Sequence, residues 1–316
     1  MDTNHPTLFI LFILAFIIFS ISNPALSSAP KDLPLPSANP TAFEIAEQVY
    51  FVNHLYAFKN YGATRSDDEA TIIINKKKNK KISFTVVERY VNNDYDDGII
   101  KSKDISFFRS GKLNGTGLLI TEYVDTNKSQ SFSIWLPSLR KIRRFAQPAH
   151  NDSWGGTDFT FGDVLLRKPT DETHEIIGLA TFKGCLGFIP NVTHPLLKIV
   201  PQPACHHDGK NIFKLKSSTK FQDWWYDYRV SYVDSKTFAD YRVEFFKDEI
   251  LVKVIDKNWR NLKESDVRAQ TWGYWYGKTI PTEHETWAII PPNTVKINHN
   301  WEKTKWTEKT LRKIKR

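Results

Sequence analysis

Short signatures of common chemistry are missing from this sequence. No Gly-x-Ser-x-Gly elbow, His-Glu-x-x-His pair, Walker loop, Gly-x-Gly-x-x-Gly turn or Cys-x-x-Cys pair occurs in its 316 residues. This sets aside the familiar nucleophilic, zinc-protease and nucleotide-binding solutions and implies no cofactor. Long apolar runs are lacking too. The one uninterrupted run, Leu8 to Ser20, falls short of the about 20 residues that a spanning helix needs. Cysteine is nearly absent, with only Cys185 and Cys205. None follows the apolar run, so no lipid-modified cysteine is available there. Finally, no shift of composition marks an internal domain boundary.

The apolar run is followed by small residues at Ala25 and Ser27, which predicts a secretory signal over 1–27 and export to the periplasm. The leading segment is atypical in carrying Asp2 and no Lys or Arg. Residues 28–40 hold four prolines and read as an extended linker. In an oxidising compartment Cys185 and Cys205 are natural disulfide partners, and closing a loop of about 20 residues contributes roughly 3 kcal/mol in the chain-entropy model. The alternative is a metal or catalytic centre built from Cys185, His194, Cys205, His206 and His207, although the close-paired spacing of structural zinc sites is missing.

What the chain does have is aromatic and basic. Its 10 Trp, 12 Tyr and 21 Phe, within 41% hydrophobic residues, exclude a disordered chain. The 44 Lys and Arg against 35 Asp and Glu leave a formal charge of +9. Cations gather at 76–81, at Arg140, Lys141, Arg143 and Arg144, and at the carboxyl end. The run at 76–81 reads as a solvated hairpin tip. For an exported protein, anionic lipid headgroups or an acidic partner fit this charge better than nucleic acid. Arg140, Arg143 and Arg144 are the candidates for that contact.

Thr41 and Glu44 fit a capping box, and Ala42, Ile45, Ala46, Val49, Val52 and Tyr56 form one helical stripe. From about residue 70 the period changes to two. Ile82, Phe84, Val86 and Tyr90 share a face, as do Phe132, Ile134 and Leu136, and then Trp224, Tyr226, Tyr228, Val230 and Tyr232. Tyr241 to Val254 reads as a hairpin turning at Lys247 to Glu249. The expectation is a single domain over 41–316: a mainly β (α+β) meander of roughly ten antiparallel strands in one curved sheet. A sheet so aromatic on one face closes on itself or is covered by helices, leaving an apolar concavity suited to lipid. Asp171, Glu172, His174 and Glu175 could be drawn as an acid–base cluster, but charged residues after a Pro-Thr turn are more commonly solvated surface.

Two segments carry a family resemblance. Trp135-Leu136-Pro137-Ser138-Leu139-Arg140-Lys141-Ile142-Arg143-Arg144-Phe145, followed by Trp154-Gly155-Gly156-Thr157-Asp158-Phe159-Thr160-Phe161-Gly162-Asp163, resembles the paired motifs of the outer-membrane lipoprotein-sorting (LolA-like) family. The resemblance implies an incomplete antiparallel β-barrel with covering α-helices and a hydrophobic cavity that shields acyl chains of lipoproteins or lipid. It also implies a monomeric, non-enzymatic carrier that meets an inner-membrane exporter complex and an outer-membrane acceptor. The expected cavity lining is Val49, Val52, Phe84, Val86, Phe132, Ile134, Leu136, Trp224, Tyr226 and Tyr228. Within the motifs, Trp135, Leu136, Pro137, Gly156, Thr157, Asp158, Phe159 and Asp163 serve either the ligand or the turns themselves. Two competing readings stand beside the carrier: an exporter accessory that binds protein, and an enzyme with its site near Cys185 to Asp208.

Overall fold

The computed structural model describes residues 32–188, 192–198 and 200–313; the expected signal at 1–27 lies outside them. The chain enters through helix α1 (Ala42–Asn53), started by the expected capping box. Thr41 Oγ1 accepts the Glu44 amide at 3.2 Å, while Glu44 Oε2 accepts the Thr41 amide at 2.7 Å. Two of the helix's orphan donors are thereby satisfied, and a Thr41→Ala change costs about 1 kcal/mol. The helix buries more than one stripe, because Gln48, Tyr50 and Phe51 are covered along with Ile45, Ala46, Val49 and Val52.

Among the described residues fifteen strands follow, rather than roughly ten. The first meander comprises β1 (Asn60–Ala63), β2 (Thr71–Lys76), β3 (Ser83–Asn92), β4 (Ile100–Phe108), β5 (Gly117–Tyr123), β6 (Ser131–Leu136) and β7 (Lys141–Phe145). The second comprises β8 (Glu172–Thr181), β9 (Asn211–Thr219), β10 (Tyr228–Asp234), β11 (Asp240–Lys247), β12 (Ile250–Asn261), β13 (Gln270–Thr279) and β14 (His284–Ile289). β14 then pairs antiparallel with β2, register Ala288 to Ile73, which joins both meanders into one sheet. The short strand β15 (Val295–Ile297) extends it by pairing with β1. β7 and β8 are the two ends, so the sheet is an incomplete barrel with two free lips.

Between the lips, the chain crosses from β7 to β8 through 146–171, and this crossover together with α1 fills the inner face. On the outer face, the segment after β8 lies across β13 and β14, held by the Cys185–Cys205 disulfide. It passes so close that a Cβ at Gly187 would overlap the Tyr276 ring. The chain end, with Trp301, Trp306 and helix α2 (Glu308–Arg312), covers Tyr90, Ile105, Phe107 and Leu119. Trp306 Nε1 donates to the Tyr90 carbonyl at 2.9 Å. Both faces of much of the sheet are therefore buried, which is why β2 reads Ile72, Ile73, Ile74 without alternation.

Candidate functional site

The second motif, residues 154–163, builds part of the crossover. Gly155 and Gly156 take left-handed φ values of +61° and +76°, which side chains with a Cβ rarely adopt. The turn they make lets Thr157 Oγ1 donate to the Trp154 carbonyl at 2.5 Å and aims Phe159 inward. Asp163 then begins a short π-helical turn, Gly162–Leu166, by accepting the Thr160 amide at 2.9 Å while Thr160 Oγ1 accepts the Asp163 amide at 3.1 Å. Leu165 and Leu166 pack on Leu118, Ile120 and Phe132 of the sheet.

Phe159 stands where two compartments meet. On one side lies an apolar cavity of about 70 Å³, lined by Ile73, Val87, Trp154, Phe159, Trp272, Trp275 and neighbouring residues. On the other is an open cleft of about 500 Å³ that Phe159 shares with Asp158, Trp225, Lys253 and Thr279. The Phe159 ring is edge-on to Trp275, centroids 5.5 Å apart, and rests on Gly277 of β13. A Cβ at Gly277 would come within 2.8 Å of it, so the ring's seat requires glycine. Beside it Asp158 clamps the crossover to β13 and β14. Its amide donates to Thr286 Oγ1 at 2.9 Å, and its Oδ1 accepts the Thr279 hydroxyl at 2.6 Å. Its Oδ2 is buried with no partner, as is Nε2 of the adjoining His284. Burial outweighs the pull of Lys253 and Thr279 and pushes the Asp158 carboxyl up to about 6.

A second, polar region lies between α1 and the sheet. Asp163 pairs with Arg167 at 2.8 Å and with Lys253 at 2.7 Å. Burial would raise its carboxyl, but these two cations override it and hold it far below the usual carboxylate range. Arg167 Nε donates to Tyr226 Oη at 3.1 Å, Tyr226 donates to Glu172 at 3.0 Å, and Arg229 forks onto Glu172 at 2.9 and 2.7 Å. Lys257 donates to both Asp240 and Asn53 at 2.7 Å, tying the end of α1 to β11 and β12. These charges are paired and hydrogen-bonded, the condition under which burial is tolerated. The arrangement sets an apolar compartment beneath the crossover, next to a polar belt that fixes one edge of it.

The expected site residues separate into three groups. Val49, Val52, Phe132 and Ile134 lie inside, beneath or upon α1 and the crossover. Leu136 and Pro137 sit at the β6 end, with Leu136 on the same side of the strand as Ile134. Phe84 and Val86 instead face outward. Phe84 packs 5.3 Å from the His194 ring, and both belong with Ile72 and Ile74 beneath the disulfide-bearing segment. Trp135 also faces outward, toward Trp306. The row from Trp224 to Tyr232 does not form one strand face. β10 starts only at Tyr228, after a left-handed Asp223, φ +50°. Trp224 therefore meets His150 and Phe221, Tyr226 enters the ionic network, and Tyr228 stacks on Phe246 at the surface.

Among the cations, Arg144 is held by Glu308 of α2 at 2.7 Å, whereas Arg140 is exposed in a left-handed turn and Arg143 is exposed on β7. The disulfide commits both thiols that the metal alternative required. No group of three metal-binding side chains occurs among the described residues. Glu172 is not the solvated surface expected of it: it is buried and pairs with Arg229, while His174 bridges Ser217 and the Pro169 carbonyl. Sequence reasoning missed Gly277, Trp275, Lys253 and Lys257, which only the pairing of β12 with β13 and the fold of the distant crossover bring together.

Comparison with known proteins agrees with the fold. A family model described as "-like: Uncharacterized protein" matches residues 101–188. No curated protein sequence matches the chain. Among solved structures, one described as an outer membrane lipoprotein-sorting protein domain from Vibrio parahaemolyticus superposes with a TM-score of 0.63. It has 14% identity, and the alignment covers 86% of this chain and 98% of that one. A DUF1329 family protein from Desulfovibrio piger gives 0.63 at 12% identity, covering 86% and 100%. A LolA superfamily protein from Nitrosomonas europaea gives 0.49 at 10% identity, covering 86% and 100%.

Proposed function

We propose that this chain, whose fold is LolA-like, is a periplasmic carrier that takes acyl chains of a lipid or lipoprotein into the inner face of its half-barrel and performs no covalent chemistry. The observation that carries this reading is the apolar cavity lined by Ile73, Val87, Trp154, Phe159, Trp272 and Trp275, where the crossover lies on the inner face of the sheet. At about 70 Å³ the cavity is far smaller than the roughly 300–1,000 Å³ of sites that enclose a whole ligand. Uptake therefore requires the crossover to move, with Phe159 leaving its seat on Gly277 and joining the cavity to the cleft beyond it. Each buried CH₂ then contributes about 0.8 kcal/mol, enough for apolar walls alone to hold a long chain.

Export through the segment at 1–27 agrees with the disulfide, a bond that persists in oxidising compartments. Arg140 and Arg143, exposed at the β7 lip, are the cations we assign to contact with headgroups or with a donor complex. The direct test is native mass spectrometry of protein purified from the cell envelope, followed by delipidation and titration with a fluorescent fatty acid. Co-purified lipid and saturable uptake support the carrier. Protein free of lipid that also takes up no probe overturns it.

A further inference from the structure

We infer that the β8 lip is a membrane-docking edge that inserts Ile176, Ile177 and Leu179 among the headgroups of an anionic bilayer; this rests on the carrier reading and states where the lipid crosses. β8 is one end of the sheet and pairs only with β9 among the described residues. Leu179 is 75% exposed, Ile177 46% and Ile176 36%, three large aliphatic side chains within four positions of a free edge. A solvent-facing edge normally carries charge or proline to prevent association, so this cluster needs a partner.

The backbone argues against a strand as that partner. The register of β8 on β9 shifts between Ile176 and Gly178, so Ile177 is an inserted residue. Such a bulge twists an edge away from further pairing, while leaving the aliphatic side chains exposed. A lipid surface accepts them without needing a register.

Charge supplies the second argument. Just past the apolar cluster, Phe182 donates to the Lys210 carbonyl and Ser235 to that of Asn211, which brings the exposed Lys183, Lys210 and Lys236 to the same end of the sheet. Among the carboxylates near this edge, Asp208 accepts the Gly184 amide, the buried Asp234 accepts the Lys236 and Thr237 amides, and the exposed Glu175 stands opposite Lys216 in the β8–β9 register. Aliphatic side chains beside several lysines match an anionic leaflet. Position is the third. α1 packs on β8 and β9, with Phe43 6.0 Å from His174 and with Ala46, Val49 and Leu215 around one pocket. Docking by this lip therefore sets the cover of the half-barrel against the bilayer.

The test is co-flotation of the full exported chain with vesicles of phosphatidylcholine and phosphatidylglycerol in equal parts, and with phosphatidylcholine alone. The expected result is binding to the anionic vesicles, weakened by salt and lowered about tenfold or more by the exposed double change Ile177→Ser and Leu179→Ser. A second variant, Lys183→Gln with Lys236→Gln, is expected to weaken binding while leaving the aliphatic cluster intact. Fatty-acid uptake measured without vesicles is expected to be unchanged in both variants. Wild type that fails to float, or a serine variant that floats equally well, overturns the docking edge. So does a serine variant whose only change is the loss of a dimer on sizing. Failure of the wild type to take up fatty acid overturns the carrier instead and is read separately from flotation.

Discussion

Replacing Asp158 by Asn tests whether the clamp between the crossover and β13 carries a carboxyl that resists ionisation. The carboxyl is pushed up to about 6 by burial, whereas an aspartate in an unfolded chain titrates near 3.9. The folded protein holds this proton more tightly than the unfolded chain. Its contribution to stability is therefore fully present below about pH 3.9 and is lost as the pH rises through about 6. A gap of about two pH units corresponds to about 3 kcal/mol. Asn cannot titrate. It retains an oxygen for the Thr279 hydroxyl, and any constant cost of placing an amide at the partnerless Oδ2 cancels when the two proteins are compared across pH. Urea unfolding of wild type and Asp158→Asn at a series of pH values from 4 to 7.5 gives the measurement. The stability of the variant relative to wild type is expected to rise by about 2.4 kcal/mol over that interval, because at pH 4 the unfolded chain is already half ionised. Two profiles that run parallel would refute the argument, because Asp158 would then be titrating alike in both states.

Three further outcomes follow from the same geometry. Removing the disulfide with Cys185→Ala and Cys205→Ala should cost roughly 3 kcal/mol in urea unfolding, since the closed loop spans about 20 residues; an unchanged midpoint would show that the bridge adds nothing to the packing of its segment. Asp163→Asn leaves the buried Lys253 and Arg167 without their shared carboxylate and should cost about 3–5 kcal/mol. In the wild type that pair is at full strength above the usual carboxylate range and is lost only as pH falls far below it, so a small cost at neutral pH would contradict the network. Phe159→Ala should lower stability by about 3–5 kcal/mol and yet increase the rate or extent of fatty-acid uptake. A fall in both would mean that the ring is simply core.

Legibility from sequence followed the range of the interaction concerned. The capping box at Thr41 and Glu44 involves neighbours in the chain, and the structure forms it as expected. The Gly155–Gly156 turn is equally local. Alternation placed Phe132 and Ile134 on one face, and they are found together. Alternation also placed Phe84 and Val86 on one face, but it carries no label for inner or outer. Where both faces are covered, as along β2 and β3, only the route of the distant segment after β8 decides which side is which.

By itself, the sequence determined the kind of elements, a first helix with period-two strands behind it, and their aromatic content, because these depend on side-chain spacing and local backbone preference. Tertiary structure alone decided the β14–β2 pairing that merges two meanders, the crossover that fills the half-barrel, and the meeting of Asp163 with Lys253 and of Asn53 with Lys257. The physical reason is that those contacts join residues far apart in the chain. Their free energy comes from burial and charge pairing that exist only after the loops between them have closed.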